Sequence, residues 1–546
     1  MSLSFSPRLR AYYLPFLAAF VMVACFNQSF WGRFIVAIGG IEAARAPLLA
    51  ATFLLLTLVF GSVLSLLNFR PVIKPLLVLL LMVTAAVSHF MDQYGVQIDK
   101  SMIQNVVETD VREARELFSW EMVLMVLLTG VLPSVLLLRT RVEYDGTLRH
   151  VAMTAAITTA ALAIAVAILF IFFKSYAPAF RGHRELRFLL TPSNYIQAVN
   201  GYVRQKLSKP LSIAPLGMDA VRGADWNGQR KRAVTVIVMG ETARAMNFSL
   251  NHYARKTNPL LEQQEGLINF SNVHSCGTAT AVSLPCVFSV LGQEKYNDSK
   301  AHSQEGLLDV LSHAGLSVLW RNNNSGCKGV CDRVAYEDLS QPEPGNPLCN
   351  AEECFDERLL ENLPAIVRAS KKDMVIVLHQ KGSHGPSYWK RTPPGFQRFG
   401  PVCRTNELEK CSREEITAAY DNTILYTDYL LHRTIQMLQQ MADEDEVDTS
   451  MIYFSDHGES LGERNMYLHG APYLIAPLEQ RRVPMMLWLS PGFGQRFRID
   501  QRCLAARADQ QFSHDNVFHS VLGLLDIHTA VYNPKLDLFQ ACNRTG

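Results

Sequence analysis

One threonine and several polar clusters carry residue types that could bind a metal ion and accept a phosphoryl group. Thr280 ends a run of small residues, Ser275–Ala279, and a helix-compatible run follows it. A hydroxyl at a helix N-terminus lies where backbone N–H groups and the helix dipole favour a phosphate. Glu241, Asp456 and His457 offer carboxylate oxygens and an imidazole nitrogen, which Zn²⁺ accepts as ligands. A zinc ion bound there would stabilise the alkoxide of Thr280 and make it a useful nucleophile at neutral pH.

Two further histidines, His384 and His469, are expected at the same place. They could bind a second metal ion, hold a phosphate or protonate a leaving group. Each candidate also has an ordinary structural role, since a Glu after a strand often caps a helix, Asp-His-Gly often forms a turn, and a Thr at a helix start is often an N-cap. The placement of these residues after successive predicted strands favours the functional interpretation.

Five short apolar runs predict the buried strands that position these groups. Near-continuous apolar runs suit a sheet covered on both faces by helices, so they indicate an α/β sandwich. The clusters around Glu241, His379/His384 and Asp456 each follow one of these strands. Because ligands of open α/β sheets bind at the carboxyl ends of strands, the clusters are expected to meet at one edge. The predicted strands are Ala233–Met239, Leu316–Trp320, Met374–Leu378, Met451–Phe454 and Met485–Leu489.

The 546-residue chain has an apolar N-terminal part and a C-terminal part of ordinary soluble composition. Five apolar stretches are long enough to span a bilayer, which needs about 20 helical residues. Buried core helices would not be apolar all round, and a signal peptide at 11–31 would not be followed by four more spans. We therefore predict a transmembrane domain at 1–175, a bridging linker at 176–214 and a catalytic domain at 215–546. The predicted spans are 11–31, 46–67, 71–90, 119–138 and 151–173.

The charges of the short loops predict the orientation of these spans. Arginine and lysine residues precede the first span and occupy the second and fourth connections, whereas the third connection is acidic. By the positive-inside rule the N-terminus is cytoplasmic, and five spans place everything after residue 173 on the far side. The stretch Arg181–Leu207 is either a helix on the membrane surface or an ordinary amphipathic linker. A formal net charge of +2 without a basic tail gives no indication of nucleic-acid binding.

Ten of the eleven cysteines lie after residue 275. An even set confined to the soluble part indicates disulfides in an oxidising compartment. A zinc knuckle at Cys327 and Cys331 is the alternative for that pair, although no second pair has the CxxC spacing of a zinc ribbon. Cys25 lies in the first predicted span. Sequence neighbours suggest the pairs 276–286, 327–331, 349–354 and 403–411, which leaves 503–542.

Several motifs are long enough to compare with known families. They are GETAR at 240–244, SCGTATAVSLPC at 275–286, SDHGESLGE at 455–463, HGAPYLIAP at 469–477 and, in the membrane part, NVVETDVRE at 105–113. Together they resemble the lipid A phosphoethanolamine transferases, the EptA-like family that includes the mobile colistin-resistance enzymes. The resemblance covers essentially the whole chain. It implies a soluble domain with the fold of the alkaline phosphatase and sulfatase superfamily.

The resemblance implies a role for each candidate residue. Thr280 is the nucleophile, and it binds the catalytic zinc together with Glu241, Asp456 and His457. His384 and His469 match positions that handle the substrate phosphate or a second zinc, so the number of zinc ions is one or two. The remaining substrate-site positions are matched by Lys328, His379, Asn105, Thr109 and Glu113.

Asn105, Thr109 and Glu113 match positions that hold the phosphoethanolamine donor. At i, i+4 and i+8 they share one face of a helix, and that face carries an amide, a hydroxyl and a carboxylate. A carboxylate suits an ammonium head group. Without the resemblance, a solvated helix in an extracytoplasmic loop would explain the same pattern.

We therefore predict a multi-pass enzyme of the bacterial inner membrane, active as a monomer, with its catalytic domain in the periplasm. It would transfer phosphoethanolamine from phosphatidylethanolamine to Thr280, release diacylglycerol, and pass the group to a phosphate of lipid A. One alternative keeps the fold but uses another acceptor, either a core-oligosaccharide sugar or a glycan, or acts as a phosphodiesterase or sulfatase. An alternative of another class is a non-enzymatic membrane sensor with a metal-binding periplasmic domain. A sensor needs metal ligands but no activated hydroxyl, so Thr280 favours the enzyme.

Overall fold

The computed structural model describes residues 8–108, 115–183, 186–207, 212–444 and 447–543. It forms two compact units. The first comprises Met1–Ile103 and Phe118–Asn200, and the second comprises Gln104–Leu117 and Gly201–Gly546. The segment Gln104–Leu117, which joins the third and fourth predicted spans, thus groups with the C-terminal unit. The domain bounds at residues 175 and 214 stay a prediction.

Long apolar helices make up most of the first unit. Four described helices match the second to fifth predicted spans in length and hydropathy. The first predicted span is instead a pair of helices, Ala11–Cys25 and Gln28–Ala37, bent by 68° at the residues between them. The described residues therefore contain four spans, or five if the bent pair crosses as one, so the predicted count of five is not confirmed. The four spans are Ala43–Ser65, Ile73–Tyr94, Trp120–Arg139 and Thr147–Ile171.

The bend falls at Asn27, whose buried side chain forms hydrogen bonds with backbone groups of two separate segments. Its amide nitrogen donates to the carbonyl oxygens of Met22 (2.9 Å) and Thr191 (3.1 Å), and its Oδ1 accepts from the Thr191 backbone N–H (2.8 Å). Asparagine side chains that bond to nearby backbone offer the chain an alternative to a continuous helix. One polar residue thus divides a run that composition alone predicts as a single span.

Shorter elements complete the first unit. Arg8–Arg10 pairs in parallel with Arg141–Glu143. The predicted amphipathic stretch contains two helices, Leu186–Leu189 and Ser193–Leu207, and begins within a third, Phe173–Gly182. The last of these helices runs into the second unit at Gly201. Lys100–Glu108 is the other helix that is shared between the units.

A mixed eight-stranded sheet is the core of the second unit. In chain order, its strands β1 to β8 are Arg232–Gly240, Ile268–His274, Ser317–Asn322, Ala335–Asp338, Met374–His379, Val447–Ser455, Arg482–Leu489 and Phe512–Ser513. β7 runs antiparallel to its neighbours β2 and β6, and the other pairs are parallel. The spatial order is β8-β2-β7-β6-β1-β5-β3-β4. All five predicted strands are confirmed, whereas β2, β4 and β8 are not among the predicted strands.

Helices cover both faces of this sheet, as its apolar strands predict. Val236 and Val238 of β1 pack with the 32-residue helix Arg413–Glu444, while Ile237 of the same strand packs in the core beside the helix Asp515–Leu524. The alternation of β1 side chains thus joins two cores across one strand. The other described α-helices of this unit are Thr280–Val287, Gly292–Lys295, Asp298–His302, Leu307–His313, Leu363–Ala369, Leu478–Arg481, Pro491–Arg496 and Gln501–Ala506.

Five disulfides join the ten cysteines of the second unit. The pairing predicted from sequence neighbours is confirmed in full. The zinc-knuckle alternative is wrong, because Cys327 and Cys331 are bonded to each other. Cys25 is the free cysteine of the described residues.

Candidate active site

The direction of the strands brings the predicted polar clusters to one edge of the sheet. Glu241 follows β1, His379 ends β5 and Asp456 follows β6, and these three strands are parallel. β2 runs in the same direction as β6, because both are antiparallel to β7. The chain after β2 therefore reaches the same edge, where Thr280 begins a helix after the extended residue Ala279.

Four side chains converge at this edge. Thr280 Oγ1 lies 3.1 Å from each carboxylate oxygen of Glu241 and 3.3 Å from Nε2 of His457. The same Nε2 is 3.4 Å from Glu241 Oε1 and 3.3 Å from Asp456 Oδ2. The candidate ligand atoms of Glu241, Asp456 and His457 all lie within 4.8 Å of one another. These three side chains are buried, whereas Thr280 is partly exposed, so its hydroxyl is the accessible group of the cluster.

Neighbouring groups orient each candidate ligand. Thr242 Oγ1 donates to one oxygen of Glu241 (2.6 Å), and Asn324 Nδ2 donates to the other (2.8 Å). His457 Nδ1 lies 2.9 Å from the carbonyl oxygen of Gly458, so its proton belongs there and the lone pair of Nε2 faces the cluster. The backbone N–H groups of Thr242 and His457 donate to Oδ1 of Asp456, at 3.0 and 2.7 Å.

Oδ2 of Asp456 is the atom that indicates a cation. It is buried and accepts no hydrogen bond from any described residue. A buried carboxylate oxygen without a partner is costly unless a charge neutralises it. Two carboxylates, one imidazole nitrogen with a free lone pair and one hydroxyl form a donor set that suits Zn²⁺. The residues present therefore fit a zinc ion.

The pKa values of Glu241, Asp456 and His457 are shifted because two carboxylates are buried close together. Burial and the neighbouring charge of Glu241 raise the pKa of Asp456 to about 7. Burial also acts to raise the pKa of Glu241, but the hydrogen bond and charge of His457 outweigh it and hold the value well below normal. Burial lowers the pKa of His457, yet the two carboxylates outweigh that and raise it to about 10. The single charge of the protonated His457 ring thus offsets only part of the charge of the two buried acids, whereas a divalent cation would neutralise both.

The predicted histidines His384 and His469 lie beside this cluster. The ring centroid of His469 is 4.3 Å from that of His457 and 5.6 Å from that of His384. Nδ1 of His469 lies 2.8 Å from Glu459 Oε2, and the hydroxyl of Tyr388 donates to the other oxygen of Glu459. Glu459 thus fixes the ring of His469 from one side. The two histidines are close enough to act on one bound group.

His379 and Lys328 lie outside the group of candidate metal ligands. His379 is buried, and its Nδ1 lies 2.8 Å from Asn322 Oδ1. Burial lowers the pKa of His379 to about 4, which keeps the ring neutral. Its Nε2 is 3.4 Å from Nδ2 of Asn324, the residue that bonds to Glu241. Lys328 Nζ donates to the carbonyl oxygens of Ser325 (3.1 Å) and Glu108 (3.2 Å).

The predicted donor residues are only partly described. Asn105 belongs to the helix Lys100–Glu108. Thr109 and Glu113 lie outside the described residues. Their proposed role rests on the sequence motif and on the helix that leads to them.

Sequence reasoning missed several residues that hold the site together. Asn324 follows β3 at the catalytic edge, and its position after a predicted strand could have indicated it. Glu459 lies within the SDHGESLGE motif, but its partner Tyr388 is 71 residues away in the sequence, so no local pattern indicates their contact. Thr242 is next to Glu241 and was not assigned a role.

The fold and the site define an α/β enzyme of the sulfatase and alkaline phosphatase class, attached to a membrane unit. The Sulfatase family pattern matches residues 233–527. A second pattern, described as phosphoethanolamine transferase EptA/EptB, matches residues 56–207. The soluble fold predicted from the motifs is thus confirmed.

Comparison with similar proteins identifies the family within this class. The phosphoethanolamine transferase EptA of Escherichia coli K12 is 39% identical over 531 residues, which are 97% of this chain and 96% of that one. The phosphatidylethanolamine transferase Mcr-1 of Escherichia coli is 38% identical over 497 residues, 89% of each chain. The solved integral membrane protein EptA of Neisseria meningitidis superposes with a TM-score of 0.93 at 34% identity and covers 99% of this chain and 100% of its own. This chain belongs to the EptA-type phosphoethanolamine transferases.

Proposed function

We propose that this protein transfers phosphoethanolamine from phosphatidylethanolamine to a phosphate group of lipid A through a covalent intermediate on Thr280. The observation that carries this proposal is the position of the Thr280 hydroxyl, 3.1 Å from both oxygens of Glu241 and 3.3 Å from His457 Nε2. The family supports the transferred group, and the name of the relative Mcr-1 supports the donor. The motif resemblance to lipid A phosphoethanolamine transferases supports the acceptor.

Glu241, Asp456, His457 and Thr280 would hold one zinc ion. The unpartnered Oδ2 of Asp456 and the lone pair of His457 Nε2 support this assignment. A bound zinc would act as a Lewis acid and lower the pKa of the Thr280 hydroxyl. His384 and His469 would contact the substrate phosphate or a second zinc.

Thr280 would act in two steps. In the first, its Oγ1 attacks the phosphorus of phosphatidylethanolamine, and the bond from phosphorus to the glycerol oxygen breaks. A proton is delivered to that oxygen, diacylglycerol leaves, and His469 and His384 are the nearby imidazoles that suit this proton transfer. In the second, a lipid A phosphate oxygen attacks the same phosphorus, and the Thr280 hydroxyl is restored. Glu241 accepts from the Thr280 hydroxyl and so holds Oγ1 in place before the first step.

Asn105, Thr109 and Glu113 would hold the head group of the donor lipid. Glu113 would attract the ammonium, and the amide and hydroxyl would bond to the phosphodiester. The grouping of Gln104–Leu117 with the catalytic unit supports this role.

The loop charges and the disulfides support an inner-membrane protein with a periplasmic catalytic domain. Arginine and lysine lie in the connections predicted to be cytoplasmic, and five disulfides require an oxidising compartment. A lipid donor and a lipid acceptor account for the attachment of a hydrolase-like fold to membrane-spanning helices.

The experiment that tests this proposal compares lipid A from cells that produce the wild-type protein, Thr280→Ala or Thr280→Ser. Mass spectrometry should find phosphoethanolamine on lipid A with the wild type and none with Thr280→Ala. Thr280→Ser keeps a hydroxyl and should retain part of the activity. A wild-type protein quenched during turnover should carry the added group on the peptide that contains Thr280. Modified lipid A from a well-folded Thr280→Ala protein contradicts the mechanism.

A further inference from the structure

Arg391 is a buried arginine whose guanidinium contacts three different parts of the catalytic unit. Its Nε donates to the carbonyl oxygen of His384 at 2.9 Å. Its Nη1 donates to a carboxylate oxygen of Glu353, and its Nη2 donates to one of Glu116. The side chain of Arg391 is 1% exposed. A planar guanidinium fixes the directions of these three N–H groups relative to one another, which an ammonium group cannot do.

Glu116 is held at two points. Besides the ion pair with Arg391, its carbonyl oxygen accepts from Nδ2 of Asn406. Asn406 Oδ1 in turn accepts from the hydroxyl of Ser387, at 2.8 Å. Ser387 and Arg391 both follow His384 in the same loop. The loop that carries this histidine therefore contacts Glu116 directly through Arg391 and indirectly through Asn406.

Glu116 belongs to the 104–117 segment, which precedes the fourth predicted span but groups with the catalytic unit. The other described end of this segment is also anchored there. Gln104 Nε2 donates to Asp298 Oδ1 at 3.1 Å, and the carbonyl oxygen of Glu108 accepts from Lys328 Nζ at 3.2 Å. Both ends of the segment are therefore fixed by residues of the catalytic unit.

We infer that Arg391 is a positioning residue that couples the 104–117 segment to His384. The same rigid group bonds the segment through Glu116 and the backbone of an active-site histidine through Nε. If Glu116 is displaced, Nη2 of Arg391 loses its partner, and the hydrogen bond from Nε to the backbone of His384 is altered. This inference rests on the proposed function, in which the segment contributes to donor binding and His384 contacts the substrate phosphate.

The ion pair is a strong link because both partners are charged and desolvated. Burial acts to raise the pKa of Glu116, but the charge and hydrogen bond of Arg391, together with the charges of Lys381 and His384, outweigh it and leave the value below normal. Burial acts to lower the pKa of Arg391, and the charges of Glu353 and Glu116 raise it above normal instead. Removal of Arg391 would leave the carboxylates of Glu116 and Glu353 buried without this counter-ion, which is the costly case. Loss of the Glu116 charge alone leaves Arg391 paired with Glu353.

The test uses the full-length protein in mixed micelles of detergent and phosphatidylethanolamine, with lipid A as acceptor. Initial transfer rates are measured against the mole fraction of donor lipid. Glu116→Gln keeps the shape of the side chain and loses its charge, so it should raise the donor KM by about tenfold and leave kcat within about threefold. Arg391→Lys keeps the charge but loses the bond to His384, so it should also lower kcat by about tenfold. Zinc content should stay at the wild-type level in both variants.

The double variant and a neighbouring control make the inference falsifiable. Because both substitutions break one linkage, Glu116→Gln combined with Arg391→Lys should be no worse than Arg391→Lys alone. Lys390→Gln removes the adjacent surface ion pair with Glu352 (2.8 Å) and should behave as wild type. An unchanged donor KM in Glu116→Gln overturns the inference, as does a double variant whose defects multiply. So does a loss of kcat, zinc and unfolding temperature together, which would mean a merely structural role.

Thr280→Ala, measured in parallel, separates this inference from the proposed function. If Thr280→Ala is inactive and the Glu116 and Arg391 variants resemble wild type, only the coupling is wrong. If Thr280→Ala remains active, the covalent mechanism is wrong whatever the Glu116 variant does.

Discussion

At the residue scale, the site is a buried cluster of acids that the protein alone does not neutralise. Glu241 and Asp456 are almost fully buried, and one imidazole faces both. Such an arrangement is unfavourable for an empty protein interior but suits one that binds a divalent cation. The energetic cost of this burial would be recovered when the metal binds.

The first prediction follows for metal content. Glu241→Ala removes a carboxylate ligand and should reduce both bound zinc and transfer activity to below about a tenth of wild type, because loss of a group that merely orients a metal ligand already costs about tenfold or more. Metal analysis of the purified protein measures the zinc. His384→Ala is the matched control, since it should lose activity but keep the first zinc ion, which Glu241, Asp456, His457 and Thr280 would hold. Full zinc occupancy in Glu241→Ala would count against the assignment.

The second prediction concerns Asp428, a buried carboxylate far from the metal site in sequence. Its two oxygens accept from the backbone N–H groups of Leu260 and Leu261, at 3.0 Å each. Burial raises its pKa from 3.8 to about 7. Between these values the folded protein binds more protons than the unfolded chain, so stability falls as pH rises from about 4 to about 7. Between pH 5 and pH 8 this one group should cost about 2–3 kcal/mol.

Asp428→Asn should flatten that pH dependence. It should also lower stability at pH 5, because the amide nitrogen cannot accept from one of the two N–H groups. Thermal unfolding at a series of pH values measures both effects. Glu265→Gln changes an exposed carboxylate shortly after Leu261 in the sequence, and it should leave the slope unchanged. A slope in Asp428→Asn that equals the wild-type slope would contradict the assignment.

Single residues show how far the sequence alone could go. Thr280, Glu241 and His457 could be predicted because each follows a predicted strand or a run of small residues, and the structure brings them together, while their roles stay a prediction. The link from Arg391 to Glu116 joins residues 275 positions apart and corresponds to no motif. Long-range pairs of this kind depend on the packed fold, so the sequence pattern could not indicate them.

At the element scale, β2 is the most informative of the three strands that the sequence did not predict. β2, Ile268–His274, leads directly to the nucleophile, yet it alternates polar and apolar residues and contains two asparagines. Strand prediction from continuous apolar runs finds only strands buried on both faces. β2 lies near one edge of the sheet, between β7 and the two-residue strand β8, where one face need not be apolar.

The third prediction concerns how much each disulfide stabilises the folded protein. Their stabilisation should grow with the length of the closed loop, because a longer loop loses more entropy in the unfolded chain. Serine replacement of Cys349 and Cys354, five residues apart, should cost about 2 kcal/mol, and that of Cys503 and Cys542, 39 residues apart, about 4 kcal/mol.

Thermal unfolding of the two double-serine variants under identical conditions measures this order. The Cys276–Cys286 pair, ten residues apart, should fall between them at about 3 kcal/mol. Equal losses, or a larger loss for the shortest loop, would show that native-state contacts rather than loop entropy set the stabilisation.

At the scale of the whole molecule, the chain combines an apolar helical unit with an oxidised α/β unit. Composition predicts this division well, because bilayer-spanning helices and soluble strands have different patterns. It does not predict that Gln104–Leu117 groups with the α/β unit, since that depends on contacts such as Gln104 with Asp298.

The fourth prediction tests the compartment of the second unit. Protein isolated and then unfolded without reductant should react with a thiol reagent only at Cys25. Mass spectrometry of the labelled peptides identifies the site. Reaction at Cys276 or Cys286 in freshly isolated protein would contradict an oxidising, periplasmic location.

The disulfide pattern has a consequence for how the chain matures. Taken from the N-terminus, the cysteines of the second unit pair consecutively, the first with the second, the third with the fourth and so on, and no bond crosses another. A polypeptide that enters an oxidising compartment from its N-terminal end exposes its thiols in that order. At each stage the first available partner is then the native one, and each pair can close before the next thiol arrives. Oxidation in order of emergence gives the native pairing without any later exchange of bonds.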